Sequence, residues 1–403
     1  MLNVQKKRVF LRADLNLPRH DLLDTTTHNA RMEALVPTIK LLMQGGNKII
    51  LATHIGRPSP RHNTHFIDEQ LSTKLLVPKL EHYGFKIDFE PDLLQAAKKS
   101  VQNVTTILLL ENLRFFQGEQ EPSRLFAQLL AATADVYIND AFGLIHRNDT
   151  SVTLLPNLFT KDNRSAGLIV EKEIATLTAL TKEPAQPFML VVGGCKVKDK
   201  IKVLMTFLHA PKHKRASTII IGGALALPFL KANGYTTGAS PCDQADVAVA
   251  MDTIKAATAA GVSLVLPTDM KVTSKLGSGT LQTCSVTTIP NDSICVDIGP
   301  ASLQVFSQQL LNAKTIFANG TMGIYEYPEY QTGTNGILAS IAANTGLTIL
   351  AGGDTVAAAY KENIADRVTF CSTGGGATLA FLGASNPYQE MPALKALYAN
   401  DTV

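Results

Sequence analysis

Apolar runs of strand length alternate along this chain with longer stretches of helical periodicity, and that rhythm leaves few architectures open. Arg8-Val9-Phe10-Leu11 is followed by the helix-like Ala30–Gln44, then Lys48-Ile49-Ile50-Leu51, then a helical stretch over 71–83, and so on to the end. Strands separated by helix-length segments are joined in parallel, which predicts an α/β fold with helices on both sheet faces. Gly45-Gly46 and Tyr83-Gly84 close the two helices, as glycine C-caps do. At 403 residues the chain exceeds one ordinary core and suits two domains. The stretch 166–181 reads as an amphipathic helix, and Pro184 and Pro187 beyond it make a stiff stop. The expected architecture is two doubly wound parallel-sheet domains joined by a hinge helix. The first domain spans 1–165, the helix and linker 166–185, and the second domain 186–386, with a tail over 387–403.

Charged residues are 18% of the chain and the formal net charge is +3, so there is no broad basic field of the kind a nucleic-acid binder needs, although local basic clusters remain possible. The five cysteines, Cys195, Cys242, Cys284, Cys295 and Cys371, include no CxxC pair and argue against a disulfide framework or a zinc site. Residues 1–8 lead into no signal-peptide core, and no apolar stretch approaches the ~20 residues of a membrane span. A soluble cytoplasmic protein is expected.

The strands of the two halves end differently. In the first half they end in charge: Val9-Phe10-Leu11 runs into Arg12-Ala13-Asp14-Leu15-Asn16, Ile49-Ile50-Leu51 leads to His54-Ile55-Gly56-Arg57, Ile107 to Leu110 meets Glu111-Asn112-Leu113-Arg114, and Val136-Tyr137-Ile138 meets Asn139-Asp140 with Arg147 close behind. If those ends converge, His54, Arg57, Arg114 and Arg147 meet Arg31 at the start of a helix. Arginine forks match phosphate and carboxylate oxygens in bidentate fashion, so the cluster calls for a small phosphorylated acid. Asp14 either caps the turn, orients a neighbouring arginine or accepts a substrate hydroxyl.

In the second half apolar runs end in small or turn-forming residues: Val192 before Gly193-Gly194, Ile221 before Gly222-Gly223, Leu266 before Pro267, Ala318 before Asn319-Gly320, Ala351 before Gly352-Gly353-Asp354, and Cys371 before Ser372-Thr373-Gly374-Gly375-Gly376. Glycine lets main chain approach a phosphate or a base closely, which suggests a nucleotide site assembled from several loops. Lys196 and Lys200 share a face if a helix starts after Gly193-Gly194, and a helix N-terminus with two ammonium groups suits phosphate, although the spacing is not that of a Walker loop. Asp354 is the best acidic candidate for a Mg²⁺-nucleotide contact, and Lys231 either reaches a phosphate or caps its own helix.

Taken in order, the stretches RVFLRADLNLP (8–18), ATHIGRP (52–58), LLLENLRFFQGE (108–119), DVYINDAFGLIHR (135–147), VVGGCKVKDKI (191–201), IIGGALALPFLKANGY (220–235), DIGP (297–300), NGTMGIYEYP (319–328), GGDT (352–355) and STGGGATLAFL (372–382) resemble the phosphoglycerate kinase family over essentially the whole chain. The resemblance implies an N-terminal domain for 3-phosphoglycerate and a C-terminal domain for Mg-ATP or Mg-ADP, with the tail packed on the first domain. It implies that Asp14, Leu15, Asn16, Arg31, His54, Ile55, Gly56, Arg57, Arg114 and Arg147 bind the substrate. It likewise assigns Lys200, Gly222, Gly223, Lys231, Asn319, Glu326, Gly352, Gly353, Asp354 and Thr355 to the nucleotide, Asp354 to the metal, and Arg31, Lys196, Lys200 and Gly375 to the transferring group. The chain departs from the family at Cys195, Ala224 and Thr321 on the nucleotide side, and at Asn148-Asp149, where a second histidine is usual two residues after the arginine.

The implied nucleophile is the carboxylate of 3-phosphoglycerate, ionised at pH 7 and in need of no general base, so positioning and charge neutralisation would carry the transfer. Arg31, Lys196, Lys200 and the amides of Gly374-Gly375-Gly376 would neutralise the migrating group. A hinge motion closing a monomer is expected. Two rivals are weaker. A dinucleotide oxidoreductase lacks its GxGxxG after the first strand, and a non-catalytic scaffold would have lost cluster residues.

Overall fold

The computed structural model describes residues 4–24, 29–58, 68–102, 107–195 and 197–399. The chain divides into two compact units, Met1–Ala175 with Ala384–Val403, and Thr176–Gly383.

The first unit is built on a wholly parallel sheet of β1 (Arg8–Ala13), β2 (Lys48–Ala52), β3 (Ile87–Glu90), β4 (Ile107–Leu110), β5 (Val136–Asp140) and β6 (Arg164–Ala166), in the order β3-β4-β2-β1-β5-β6. β4 and β5 are buried along their whole length, as expected of parallel strands covered on both faces. Leu11 pairs with Leu51 on one side and Ile138 on the other, so the topology switches direction across β1. In open α/β sheets a ligand crevice forms at the carboxyl ends of the strands at such a switch.

Helix Ala30–Gln44 packs on this sheet through Met32, Leu35, Ile39 and Leu42, spaced three or four apart, and Asn29 caps it by accepting from Arg31 N and Met32 N. The stretch 71–83 is not one helix. A 3₁₀ turn over Thr73–Leu76 gives way to an α-helix only at Val77–His82, because Pro78 is tolerated in a first turn and not in a helix interior. After Ala384 the chain joins the first unit. Helix Pro392–Tyr398 lies against it, with Ala393 N donating to Ile145 O at 3.1 Å. Buried Arg164 donates to Leu397 O at 3.2 Å and to Ala399 O.

The boundary between the units falls inside helix Leu168–Lys182. Asp140 at the end of β5 caps its first turn, its Oδ1 accepting from Ile169 N at 2.8 Å and Val170 N at 3.3 Å. A Cβ at Gly167 would stand 2.3 Å from that oxygen, so only glycine fits there. Burial pushes the Asp140 carboxyl up to about 6.

The second unit carries another six-stranded parallel sheet: β7 (Phe188–Val192), β8 (Thr218–Ile221) and β9 (Ser263–Val265), then β13 (Thr315–Asn319), β14 (Leu347–Ala351) and β15 (Phe370–Cys371). Its order is β15-β14-β13-β7-β8-β9. The sequence rhythm did not reveal a smaller antiparallel sheet, β11-β10-β12, made from β10 (Asp269–Thr273), β11 (Gln282–Ser285) and β12 (Ile294–Ile298). Met270, Val272, Cys295 and Ile298 of this sheet enter the same core as Met189, Val191 and Phe306. Among the described residues no helix is long and apolar enough to cross a membrane.

Candidate active site

The carboxyl ends of β1, β2 and β4 are tied together by side chains. Asn16, after β1, accepts from Gly56 N at 2.8 Å. Gly56, after β2, passes its carbonyl to Arg114 Nη1 at 2.7 Å, and Arg114 follows β4. Gly56 has φ +63° and a Cβ there would lie 2.7 Å from Leu71, which suits glycine on both counts. Asn112 braces the turn by donating to Ile55 O and Leu71 O, both at 2.8 Å. Leu15 N donates to Thr53 Oγ1 at 2.9 Å, so the Asp14-Leu15-Asn16 turn is fixed by backbone as well as side chain.

Arg31 projects from the first turn of its helix to Asp14, Nη1 to Oδ1 at 2.6 Å. The entry to that helix is held in place by Asn29, which donates to Asp21 Oδ2 at 2.6 Å, and by fully buried Lys79, which donates to the carbonyls of Asp21 and Asp24 at 2.9 Å. Asp14 therefore orients the arginine, one of the roles its sequence position allowed. Arg57 is exposed at the loop that leaves Gly56.

Sequence reasoning missed a buried ion pair in the same unit. Arg12 and Glu119 are completely buried and 3.4 Å apart, with Ser151 between them: Arg12 Nε donates to Ser151 Oγ at 2.7 Å, and that hydroxyl donates to Glu119 Oε1 at 2.6 Å. A charged residue in each of the runs RVFLRA and QGE was the available signal, because such a residue needs a partner once its neighbours are buried.

Above this network five buried polar atoms have no hydrogen-bond partner: His54 Nδ1, Arg114 Nε and Nη2, Arg147 Nε and Asp149 Oδ2. An unsatisfied buried donor costs about 1–3 kcal/mol, so a concentration of them marks a place kept for a ligand. The free Nε–Nη2 edge of Arg114 is the fork that takes two oxygens of one anion. Burial, followed by the charges of Arg12, Arg114, Arg31 and Arg147, holds the His54 imidazole well below its ordinary pKa, so at neutral pH it can hydrogen-bond an anion without adding charge. Asp14, Asn16, Arg31, His54, Arg114 and Arg147 thus form one cradle that suits a compact polyanion.

In the second unit the glycine-ended strands fall into two groups. A Cβ at Gly193 would lie 2.2 Å from Thr321 O, at Gly222 2.3 Å from Met322 Sδ, at Gly223 2.6 Å from Gly194 N, and at Gly320 2.2 Å from Gly193 O. Gly193, Gly223 and Gly320 let neighbouring loops stack main chain on main chain, joined by Gly193 N to Asn319 O at 2.9 Å and Gly194 N to Thr321 O at 2.7 Å, while Gly222 makes room for the Met322 side chain. Gly353, Gly375 and Gly376 instead face open space, with no atom within 4 Å of a built Cβ. Gly353 and Gly376 begin the helices Gly353–Lys361 and Gly376–Gly383, so their amides are presented at two helix N-termini.

Lys200 is buried on helix Val197–His209 and donates to Asn319 O at 3.0 Å and Asn319 Oδ1 at 2.7 Å. Thr355 Oγ1 accepts from Gly320 N at 2.7 Å, which joins the loop after β13 to the helix after β14, while a Cβ at Gly352 would lie 3.0 Å from Asn319 Nδ2. Asp354 and Glu326 are exposed. Lys231 is exposed in the last turn of helix Ala226–Ala232, at the opposite end from the Gly222-Gly223 turn. Lys196 lies outside the described residues. No group of three or more His, Cys, Asp or Glu that could hold a metal ion occurs among the described residues. The lone carboxylate of Asp354 fits an ion that arrives already bound to phosphates, the usual manner of Mg²⁺.

Residues 1–384 match a family model described as phosphoglycerate kinase. A phosphoglycerate kinase of Akkermansia muciniphila is 34% identical over 94% of this chain and 93% of its own length. A cytosolic phosphoglycerate kinase of Triticum aestivum is 36% identical over the same shares, 94% and 93%. Among solved structures, phosphoglycerate kinase from Coxiella burnetii superposes with a TM-score of 0.81 at 29% identity, covering 98% of this chain and 96% of its own. The enzyme from Pyrococcus horikoshii OT3 gives 0.80 at 26% identity, covering 98% and 97%.

Proposed function

The chain belongs to the phosphoglycerate kinase family, and from that premise we propose that it transfers a phosphoryl group reversibly between ATP and 3-phosphoglycerate, directly and in line. The observation that carries the residue assignments is the cradle of buried, unpartnered donors around Arg114 and His54 at the strand ends of the first unit. The phosphate of 3-phosphoglycerate would sit on Arg114, Arg147 and His54, beside Arg57, Ile55 and Gly56, with Asp14, Leu15 and Asn16 at the hydroxyl and carboxylate end.

The nucleotide would take the strand edge of the second unit, its phosphates on Lys200, Gly352, Gly353 and Thr355 and its remainder near Gly222, Gly223, Lys231, Asn319 and Glu326. Mg²⁺ would arrive with the nucleotide and be met by Asp354, and it supplies charge neutralisation on the phosphate oxygens. The attacking carboxylate of 3-phosphoglycerate is ionised at neutral pH, so this chain needs no general base. Its work is to orient the two ligands and offset negative charge, through Arg31, Lys196, Lys200 and the amide of Gly375.

Water would hydrolyse an acyl phosphate, which is a physical reason for the units to close during transfer. A monomeric, cytoplasmic enzyme is part of the same reading. A coupled assay tests it: ATP-dependent phosphorylation of 3-phosphoglycerate, followed by NADH consumption in a downstream step. No turnover with either nucleotide direction would overturn it.

A further inference from the structure

The cradle contains carboxylates in two different situations. Asp14 is satisfied, with Arg31 Nη1 at 2.6 Å. Asp149 is buried, its side chain 9% exposed, and its Oδ2 has no hydrogen-bond donor although Arg114 Nη2 is 3.9 Å away. At that separation the pair shares charge but no hydrogen bond. Arg114 owes its orientation to other contacts: Nη1 on Gly56 O at 2.7 Å and its amide on Asn112 Oδ1 at 3.1 Å. Asp149 is therefore not the clamp that aims the guanidinium.

What Asp149 contributes is negative charge among crowded arginines. Burial weighs most against the charge on Arg114, Arg147 and Arg12 oppose it further, and Asp149 and Glu119 offset them. Glu119 is already committed to Arg12 and Ser151. Asp149 also stands beside the Nε–Nη2 edge, the one part of Arg114 left for an incoming oxyanion. A ligand on that fork and the Asp149 carboxylate draw on the same positive charge and repel each other where water is scarce. The repulsion grows with ligand charge, so a phosphate group suffers more than a carboxylate group.

We propose that Asp149 is a resident counter-ion of the cradle: it stabilises the empty site against arginine repulsion and, for that reason, weakens binding of the phosphorylated acid. This rests on the reading of the cradle as the 3-phosphoglycerate site. It makes Asp149 a residue that sets affinity through Arg114.

The test uses the full chain and the substitutions Asp149→Asn and Asp149→Ser, the second in case the first folds poorly. Calorimetric titration with 3-phosphoglycerate should show binding about tenfold tighter or more than in the parent, while the unliganded variant melts at a lower temperature and KM for Mg-ATP stays the same. A group that only held the fold would lower the melting temperature without any gain in affinity, and that result, or weaker binding, overturns the proposal. Failure of the parent itself to bind 3-phosphoglycerate would count against the kinase reading instead. Titration of parent and variant with inorganic sulfate then makes the same comparison on the cradle, and equal affinities would again overturn the counter-ion role.

Discussion

Exchanging Arg114 for lysine keeps the charge of the cradle and removes its fork. Arg114 is 1% exposed, with Nη1 committed to Gly56 O at 2.7 Å and the Nε–Nη2 edge left for a ligand. Two charge-assisted hydrogen bonds along that edge are worth about 1.5–3 kcal/mol each. A lysine ammonium can replace one of them, so Arg114→Lys should lose about 1.5–3 kcal/mol of binding, which is about 10- to 150-fold in Kd for 3-phosphoglycerate. The orphaned Gly56 carbonyl should cost about 1 kcal/mol of stability as well. Titration calorimetry at fixed ionic strength reads the first effect and thermal melting the second. A folded variant that binds 3-phosphoglycerate within about twofold of the parent would refute the bidentate role of Arg114.

Three further perturbations address other parts of the molecule. The raised Asp140 carboxyl, at about 6, binds its proton more tightly folded than unfolded, so its contribution is full below about pH 4 and is lost as pH rises through about 6, some 3 kcal/mol in all. Asp140→Asn keeps an acceptor for Ile169 N and Val170 N, and urea unfolding between pH 4.5 and pH 7 should show a flatter dependence and a higher midpoint at pH 7; a steeper one would contradict the argument. Gly320→Ala puts a methyl 2.3 Å from Lys200 Nζ at φ +100°, and should cost about 2–4 kcal/mol in melting experiments and raise KM for Mg-ATP while sparing that for 3-phosphoglycerate. Lys79→Met removes both carbonyl contacts at the entry to the Arg31 helix, and steady-state kinetics should show KM for 3-phosphoglycerate rising several-fold with KM for nucleotide unchanged.

The parallel sheets were legible because covered strands such as Ile107-Leu108-Leu109-Leu110 are apolar without interruption. β11 was not, because Gln282–Ser285 is mostly exposed and held by pairing rather than by apolar burial. The arginines of the cradle stood out by their position after strands, whereas Arg12 and Glu119 looked like ordinary charges until burial joined them through Ser151. Glycine repeats were equally visible at Gly193 and Gly375, yet only three-dimensional packing separates the first, needed for loop stacking, from the second, which faces open space. Position 149 offered a change of residue type and nothing about its environment, which comes from a 3.9 Å approach to Arg114 across 35 positions of sequence.

The discontinuous make-up of the first unit bears on how the protein comes into being. Its closing helix, Pro392–Tyr398, is synthesised only after the whole of Thr176–Gly383. Until then Arg164 lacks the carbonyls of Leu397 and Ala399, and Ile145 O waits for Ala393 N. On a ribosome, the half that emerges first is therefore the half completed last, and a shortened gene that stops before Ala384 would leave the first unit open at β6 even though every residue of its anion cradle had been made.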